Sequence, residues 1–312
     1  MIEADFLVLD HIGLYCRVGN FYIDPQQAVP LSIVSHAHAD HAVPGSTEVY
    51  ATQGTMALMQ SRYGKKAAKY AHTQAYGTVF TINKITISFH PAGHILGSAQ
   101  VLLEYNNIKY LYTGDFKLQA DATCEPYTYV KADVLITETT FANPEKNHPD
   151  DEQEISKINA VNHNILLGAY ALGKAQRLTA LINQYCPQKT VLLHHNISPF
   201  HRIYEQYGIA LNWQFYHRKL MKQQQNLVYI VPPMTYRSYL KAIDVKRFFA
   251  TGWDRPQNGS DEILFISDHA DWNDLMKIIE QTAPQEIWTL HGDGSHVAAH
   301  FQNKNIVVKA LN

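Results

Sequence analysis

The chain of 312 residues has no long hydrophobic run, little cysteine and almost no net charge. No apolar stretch approaches the ~18 residues that a membrane-spanning helix needs, so we expect no membrane span. The three cysteines, Cys16, Cys124 and Cys186, are odd in number and far apart in sequence, which favours small buried side chains over a disulfide framework. The start, MIEADFLVLD, carries acids where a secretory signal would carry basic residues, and we therefore expect a cytoplasmic protein.

The sequence also lacks internal repeats, low-complexity tracts and long flexible linkers. A chain of this length buries a large core, as one big domain or as two ordinary ones. Short apolar runs such as LSIVSH, KITISFH and QVLLEY predict strands, and QGTMALMQSRYG predicts a helix. Between about 155 and 250, helical segments alternate with short strands as in a βαβ layer. These patterns predict an α/β protein with a second α/β module in its middle.

Charge is distributed unevenly along the chain. Residues 151–261 contain 13 Lys and Arg against 7 Asp and Glu, whereas the remainder carries a net charge of −8. An acidic frame around a basic insert indicates one part that holds cations and another that meets an anionic substrate. Solvated surfaces produce similar asymmetry, so the pattern acquires meaning only with other signals.

Histidine is what the sequence has in excess, with 17 residues, and three of them fall within the stretch SHAHADH. Imidazole and carboxylate are ligands that suit zinc and manganese, and His36, His38, Asp40 and His41 provide both. In a chain of this composition the pattern H-x-H-x-D-H is expected by chance on the order of 0.003 times. A single catalytic ion usually takes three protein ligands. The stretch therefore predicts more than one ion, with further ligands from elsewhere.

Three other segments offer candidate ligands: His94 in HPAGHILGSAQ, Asp115 in YTGDF and His291 in LHGDG. Each has a structural alternative, as a hydrogen-bonded histidine or an ordinary turn aspartate. Asp115 and His291 also follow predicted strands, and loops at one edge of a rigid sheet are where functional sites are commonly assembled.

Taken in chain order, the motifs SHAHADH, PAGHILGSAQ and YTGD resemble the signature motifs of the metallo-β-lactamase fold. ITETTF, AYALGKAQRL, FISDHAD and LHGDG resemble the additional motifs of its nucleic-acid-processing branch, the β-CASP nucleases. The resemblance covers nearly the whole chain. It implies an αββα sandwich with an inserted small α/β, β-CASP-like domain. The implied bounds are 1–150 for the first part of the sandwich, 151–261 for the insert and 262–312 for the completing part.

The resemblance further implies two divalent ions, zinc or manganese, as cofactors. Asp115 would bridge them, and Asp24, which ends FYID, would orient the ligand loop by fixing a histidine tautomer. The first ion would be held by His36, His38 and His94, and the second by Asp40, His41 and His291.

Two ions ~3.5–4 Å apart share a hydroxide that can attack phosphorus, which leaves protonation of the leaving oxygen to the protein. His269 in SDHAD and Glu138 in TETTF match the family positions for that acid and its carboxylate partner. The ordinary pKa of histidine, near neutrality, suits this role. The structural alternatives are a helix-cap or surface acid for Glu138 and a cap for His269. The expected catalytic residues are thus His269, Glu138, Asp40 and Asp115.

The insert supplies candidates for substrate binding. Gly173 and Lys174 stand at the predicted start of a helix, where backbone N–H groups and the helix dipole attract phosphate. The candidates for the wall of a groove are Arg177, Arg202, Arg237 and Arg255, although most surface arginines are only solvated. Tyr236 and Trp253 could stack on bases or pack in the core.

These expectations favour a two-metal phosphodiesterase that cleaves nucleic acid, a DNA exonuclease in DNA repair. The short insert and the opening LVLDHIGLYCRVGNFYIDP most resemble the bacterial ligase-associated DNA exonucleases, which implies an ATP-dependent DNA ligase and a helicase as partners. His291, however, is the residue usual in RNA-processing members, so an RNA-processing nuclease remains an alternative. A third is a small-molecule ester or thioester hydrolase, against which the basic insert and the pair of Glu138 and His269 argue.

Overall fold

The computed structural model describes residues 2–239, 242–255 and 259–311. The chain divides into two compact units, which are Met1–Asn147 with His269–Asn312 (unit 1) and His148–Asp268 (unit 2). Unit 2 extends a few residues beyond 151–261 at both ends. Within the described ranges, no helix is long and apolar enough to cross a membrane.

The first sheet of unit 1 has six strands that lie side by side in chain order. They are β1 (Leu7–Leu9), β2 (Leu14–Cys16), β3 (Phe21–Ile23), β4 (Leu31–Ile33), β5 (Glu48–Thr52) and β6 (Tyr70–Gln74). Pairing is antiparallel from β1 to β3 and parallel from β3 to β6. Helix α1 (Gln53–Tyr63) begins at Thr52, whose side chain accepts a hydrogen bond from the backbone N–H of Thr55, and ends in a 3-10 turn (Gly64–Lys66).

The second sheet of unit 1 has seven strands in the order β19-β18-β11-β10-β9-β8-β7. They are β7 (Val79–Ile82), β8 (Ile85–Pro91), β9 (Ala99–Tyr105), β10 (Ile108–Tyr112), β11 (Val134–Thr139), β18 (Glu286–Gly292) and β19 (Val307–Ala310). Strands β7 to β10 are antiparallel, whereas β10, β11, β18 and β19 are parallel. Two helices, α7 (Trp272–Thr282) and α8 (Ser295–Phe301), belong to the same unit.

Period-two burial explains how these layers stack. Val101 and Leu103 of β9 lie in a core shared with Ile33 of the first sheet, whereas Leu102 between them packs with Leu275 of α7. Helix α1 packs on the first sheet against β5 and β6. The order is therefore helix, sheet, sheet, helix, and the predicted αββα sandwich is confirmed.

Unit 2 contains one parallel sheet of six strands in the order β14-β13-β15-β12-β16-β17. The strands are β12 (Asn164–Gly168), β13 (Thr190–Leu193), β14 (Gln214–Phe215), β15 (Leu227–Val231), β16 (Val245–Ala250) and β17 (Glu262–Leu264). The helices are α2 (Asp151–Asn159), α3 (Lys174–Tyr185), α4 (Ser198–Gln206), α5 (Arg218–Gln223) and α6 (Pro233–Ser238).

Both faces of this sheet are covered, as the continuous apolar runs of its strands require. Ile165 and Leu167 of β12 pack with Leu178 of α3, whereas Leu166 between them packs with Tyr236 of α6. The small α/β module expected in the middle of the chain is thus a parallel sheet with helices on both sides.

Candidate metal centre

The loop after β4 carries the densest group of candidate ligands, and the end of α1 holds its backbone. Arg62 donates a hydrogen bond from Nη1 to the carbonyl of Ala37 (2.9 Å). The hydroxyl of Tyr63 donates to the carbonyl of Ala42 (2.8 Å). Because these two carbonyls bracket the motif HADH, the loop presents its side chains from a fixed backbone.

Asp24, a buried carboxylate, organises the residues of this loop. Its oxygens accept hydrogen bonds from the backbone N–H and the hydroxyl of Ser35 (2.7 and 2.5 Å), from the hydroxyl of Tyr112 (2.9 Å) and from Nδ1 of His41 (2.8 Å). Its backbone has φ 46°, a left-handed conformation that persists where the surroundings enforce it. Because the carboxylate accepts from Nδ1 of His41, the proton of that ring is at Nδ1 and Nε2 faces the candidate centre.

Ser35 connects Asp24 to His36 and fixes the orientation of the His36 ring. Its hydroxyl donates to Asp24 and lies 3.0 Å from Nδ1 of His36, so it accepts a hydrogen bond from that nitrogen. Nε2 of His36 therefore carries a lone pair, is buried, and has no hydrogen-bond partner within the described residues. A buried polar atom without a partner costs about 1–3 kcal/mol. A metal ion at this nitrogen would remove that cost, so the residues present fit a metal.

Asp115 follows β10 and directs its two oxygens at different histidines. Oδ1 lies 3.4 Å from Nε2 of His41, and Oδ2 lies 3.4 Å from Nε2 of His36 and 3.8 Å from Nε2 of His94. Burial alone would raise the pKa of Asp115, but His41, His269 and His36 outweigh burial and hold it well below its usual range. An ionised carboxylate placed in this way can bridge two cations.

His94 lies in the loop between β8 and β9 and completes a compact donor group. Its Nε2 is 3.0 Å from Nδ1 of His38. Burial, together with the neighbouring His36 and His38, holds the pKa of His94 well below its usual range. Neutral imidazole is the form that binds metal. The donor atoms of His36, His38, His94 and Asp115 all lie within 4.8 Å of one another, a histidine-rich set of the kind zinc prefers.

His41 is the centre of a looser group. Burial lowers its pKa, but Asp115 and Asp24 outweigh burial and raise it to about 10, so this position attracts positive charge. Oδ2 of Asp40 lies 3.9 Å from Nε2 of His41, and the ring centre of His291 lies 5.5 Å from that of His41. Asp40 and His291 are exposed and are outside the compact donor groups formed by residues the structure describes. Their assignment to a second ion stays a prediction.

We expect Ser35→Ala to lower the affinity for zinc by about 10- to 100-fold, because His36 would lose the hydrogen bond that fixes its tautomer. Competition against a chromophoric chelator measures this affinity. Ser32→Ala is the matched control, since Ser32 is equally buried in β4 and, among the residues that the structure describes, its hydroxyl bonds only to the backbone carbonyl of Glu48 (3.4 Å). Equal affinity in the two variants would contradict the relay from Asp24 to His36.

Glu138 and His269 form a hydrogen-bonded pair beside this centre. Nδ1 of His269 donates to both oxygens of Glu138 (2.8 and 3.1 Å). Glu138, at the end of β11, also accepts from the backbone N–H of Phe116 (3.0 Å) and from the hydroxyl of Thr140 (2.6 Å), so the carboxylate is fixed. His269 is 29% exposed, and its Nδ1 lies 3.9 Å from Oδ2 of Asp115. The pair therefore places an oriented, partly accessible imidazole next to the donor group.

In unit 2, two of the residues expected to contact substrate are buried in an ion-pair network. Lys174 donates from Nζ to the carbonyl of Ile266 (2.5 Å) and pairs with Oδ2 of Asp268 (3.1 Å). Arg177 pairs with Oδ1 of Asp268 (3.3 Å) and with Asp151. Because both cations are buried and engaged by carboxylates, the structure corrects the expectation that they meet a phosphate.

Two other candidates of this unit differ from each other. Gly173 precedes α3 with φ 82°, and its N–H donates to the side chain of Gln176 (2.7 Å), so that amide is already used inside the protein. Arg255 is exposed, and its guanidinium carbon lies 5.3 Å from the ring centre of Trp253, which is also exposed. Of these four candidates, Arg255 is the one on the surface.

We expect Arg177→Met to lower the free energy of unfolding by about 3–5 kcal/mol, because it removes the buried guanidinium that pairs with both Asp151 and Asp268 and leaves part of their charge uncompensated. Urea denaturation followed by circular dichroism measures the change. The exposed Arg255 is the control, and Arg255→Met should stay within about 0.5 kcal/mol of wild type. A loss of the same size in both variants would refute the structural role of Arg177.

The sequence is similar to those of known metallo-hydrolases and nucleases. Residues 261–308 match the family model described as Zn-dependent metallo-hydrolase RNA specificity domain. A protein of Opitutus terrae named as a probable DNA ligase is 32% identical over 96% of this chain and 30% of its own length. The RNase J-like protein of Methanocaldococcus jannaschii is 33% identical over 57% of this chain and 49% of its own length. The chain belongs to the β-CASP-type metallo-hydrolases of the metallo-β-lactamase fold.

The chain spans less than half the length of either of these two relatives. A crystal structure of a protein of unknown function from Enterococcus faecalis V583 matches 84% of this chain and 75% of its own, with a TM-score of 0.58 and 16% identity, which supports the fold alone. The family is zinc-dependent, and the histidine and aspartate clusters suit such a metal, so the predicted metal cofactor is confirmed.

Two residues that bond to Asp24, Ser35 and Tyr112, were missed at the level of sequence. Their contribution comes from hydrogen bonds that join separate segments, and no spacing pattern in the sequence marks such bonds. The serine immediately before the histidine motif was the one available signal, since a hydroxyl there lies next to a candidate ligand.

Proposed function

We propose that this chain hydrolyses phosphodiester bonds of nucleic acid, with DNA as the favoured substrate and exonucleolytic DNA repair as the role. The observation that carries the proposal is the oriented pair of Glu138 and His269 beside a compact group of metal-ligand donors. The sugar hydroxyl expelled from a phosphodiester is a poor leaving group that gains from a positioned acid, whereas the thiolate expelled from a thioester leaves readily without one.

The metal ions, when bound, supply Lewis acidity and an activated water. One would be held by His36, His38 and His94, the other by Asp40, His41 and His291, with Asp115 shared. The chain's own contribution to the reaction is a proton. Glu138 accepts from Nδ1 of His269 and so favours the protonated ring, and Nε2 of His269 is then the atom that gives its proton to the leaving oxygen.

Two kinds of similarity bear on the choice of polymer. The relative named as a probable DNA ligase matches almost the whole chain, which supports DNA as substrate and a ligase as a partner activity. The matched family description refers to RNA specificity, and the archaeal relative is named as RNase J-like, so an RNA-processing nuclease is the second candidate. The helicase partner rests on the sequence resemblance, and a cytoplasmic location is part of the same proposal.

Substrate contacts outside the centre are assigned to an exposed pair. Arg255 and Trp253 place a guanidinium over an indole ring on the surface of unit 2. A cation beside an aromatic face suits a phosphate and the base attached to it. Gly173, Lys174 and Arg177 are not included in this surface because their polar groups are used within the protein.

The test is to incubate zinc- or manganese-loaded protein with single-stranded DNA, duplex DNA and RNA of one sequence, and with a nitrophenyl ester. Labels at the 5′ and the 3′ end show polarity, since an exonuclease releases mononucleotides from one end and an endonuclease leaves internal fragments. We expect faster cleavage of DNA. Faster cleavage of RNA would establish the second candidate, and turnover of the ester alone would exclude a nuclease.

A further inference from the structure

Lys117 carries a buried charge that the proposed chemistry does not use. Its side chain is 1% exposed. Nζ donates hydrogen bonds to the carbonyl of Gly93 (2.5 Å) and to the carbonyl of His94 itself (2.8 Å), and forms an ion pair with Oδ2 of Asp121 (2.9 Å). The buried ammonium of Lys117 therefore binds the backbone of His94, a candidate metal ligand.

The carboxylate partner of this lysine is itself fixed. Oδ1 of Asp121 accepts from the backbone N–H and the hydroxyl of Thr123 (2.8 and 2.6 Å). A buried ion pair is at best neutral for stability, because desolvating two charges costs several kcal/mol. Stability alone therefore does not account for placing Lys117 and Asp121 here, whereas fixing the position of a loop does.

The backbone shows how closely the two loops approach. Gly93 has φ 73°, and a Cβ at this position would clash with the carbonyl of Lys117. The backbone N–H of Lys117 donates to the carbonyl of Ala92 (3.3 Å). Lys117 lies two residues after Asp115, so its side chain and its backbone both connect the segment that carries Asp115 to the segment that carries His94.

We propose that Lys117 is a positioning residue that clamps the loop of His94 to the loop of Asp115 and thereby sets the ligand geometry of the first metal ion. The inference rests on the proposed metal centre, and it is independent of which polymer is cleaved. A residue that only stabilised the core would change the stability of the fold alone. Lys117, as a positioning residue, should change metal affinity as well.

The test uses Lys117→Met, which keeps most of the side-chain volume and removes the ammonium. Lys189→Met is the matched control, since Lys189 is also a buried lysine, donates from Nζ to the carbonyl of Val161 and to Oδ1 of Asn226 (3.0 Å), and lies in unit 2. Zinc affinity is measured by chelator competition, bound zinc by elemental analysis after dialysis, and folding by thermal unfolding of the metal-free protein.

We expect Lys117→Met to lower the affinity for the first zinc ion, the one held by His36, His38 and His94, by about 10- to 100-fold. Lys189→Met should leave that affinity within about threefold of wild type. Both variants should lose thermal stability. Unchanged zinc affinity in Lys117→Met would show that Lys117 is merely structural and would overturn the inference. If wild-type protein bound no zinc, the metal centre itself would be wrong, a failure that is distinct from failure of the clamp.

A second variant keeps the test decisive if Lys117→Met does not fold. Lys117→Met combined with Asp121→Asn removes both charges, so no unpaired carboxylate stays buried. We expect this double variant to fold and still to bind zinc weakly, with a shifted imidazole resonance of His94 in the NMR spectrum of the metal-free protein. Wild-type zinc affinity and an unshifted resonance would overturn the inference.

Discussion

His269→Ala should lower the rate of phosphodiester cleavage by about 10²- to 10⁴-fold while the protein keeps its metal, which is the range that general acid catalysis contributes. The geometry gives the reason. Nδ1 of His269 is bonded to Glu138, whose carboxylate is in turn fixed by Phe116 and Thr140, so the ring is held for proton transfer. Loss of the acid should also remove the alkaline limb of the pH–rate profile.

The matched control for this experiment is His72→Ala. His72 also pairs with a glutamate, Glu48 (2.7 Å), but on the surface of unit 1, so its removal should leave cleavage unchanged. Elemental analysis of both variants supplies the second readout. Asp115, Glu138 and His269 form one of the compact donor groups, and loss of metal in His269→Ala would make this residue a ligand instead of the acid.

Asp115→Asn should have the second large effect, with loss of metal and a fall in cleavage of about 10³-fold or more. A bound ion supplies several kcal/mol of transition-state stabilisation, and this carboxylate faces His36, His41 and His94 together. Asparagine keeps the shape and removes the charge. Metal content per chain and the zinc dissociation constant are the quantities to measure.

A true turn aspartate provides the control. Asp10 is exposed and accepts backbone hydrogen bonds from Ile12 (2.7 Å) and Gly13 (3.1 Å), which is the structural alternative that the sequence left open for Asp115. Asp10→Asn should keep full metal content and activity. If Asp115→Asn behaved like Asp10→Asn, Asp115 would have no role at the centre.

Much of the fold was predictable because the strands of both units obey a local rule. Alternation along β9 and β12 places successive side chains on opposite faces, and that pattern is visible in the sequence. The metal-binding loop was predictable for a different reason, since four ligand-type residues within six positions exceed what chance produces.

The burial of Lys174 and Arg177 was not predictable, because a helix start with glycine and lysine has the same sequence whether its charge meets a ligand or an internal partner. The carboxylates that engage Lys174 and Arg177 come from Asp151 and Asp268, which are distant in the chain. For the same reason, the net charge of the insert is a poor guide to the charge on its surface. Several of its basic residues are buried, so formal charge overstates what the surface presents.

The four hydrogen bonds that converge on Asp24 are formed by the protein alone. The orientation of His41, and through Ser35 that of His36, is therefore set during folding and does not wait for an ion to arrive. We therefore expect folding and metal loading to be separate events, unlike those of small domains that stay unfolded without metal. A chain built in this way can persist as a folded apoprotein and be metallated afterwards by whichever suitable divalent ion its surroundings supply.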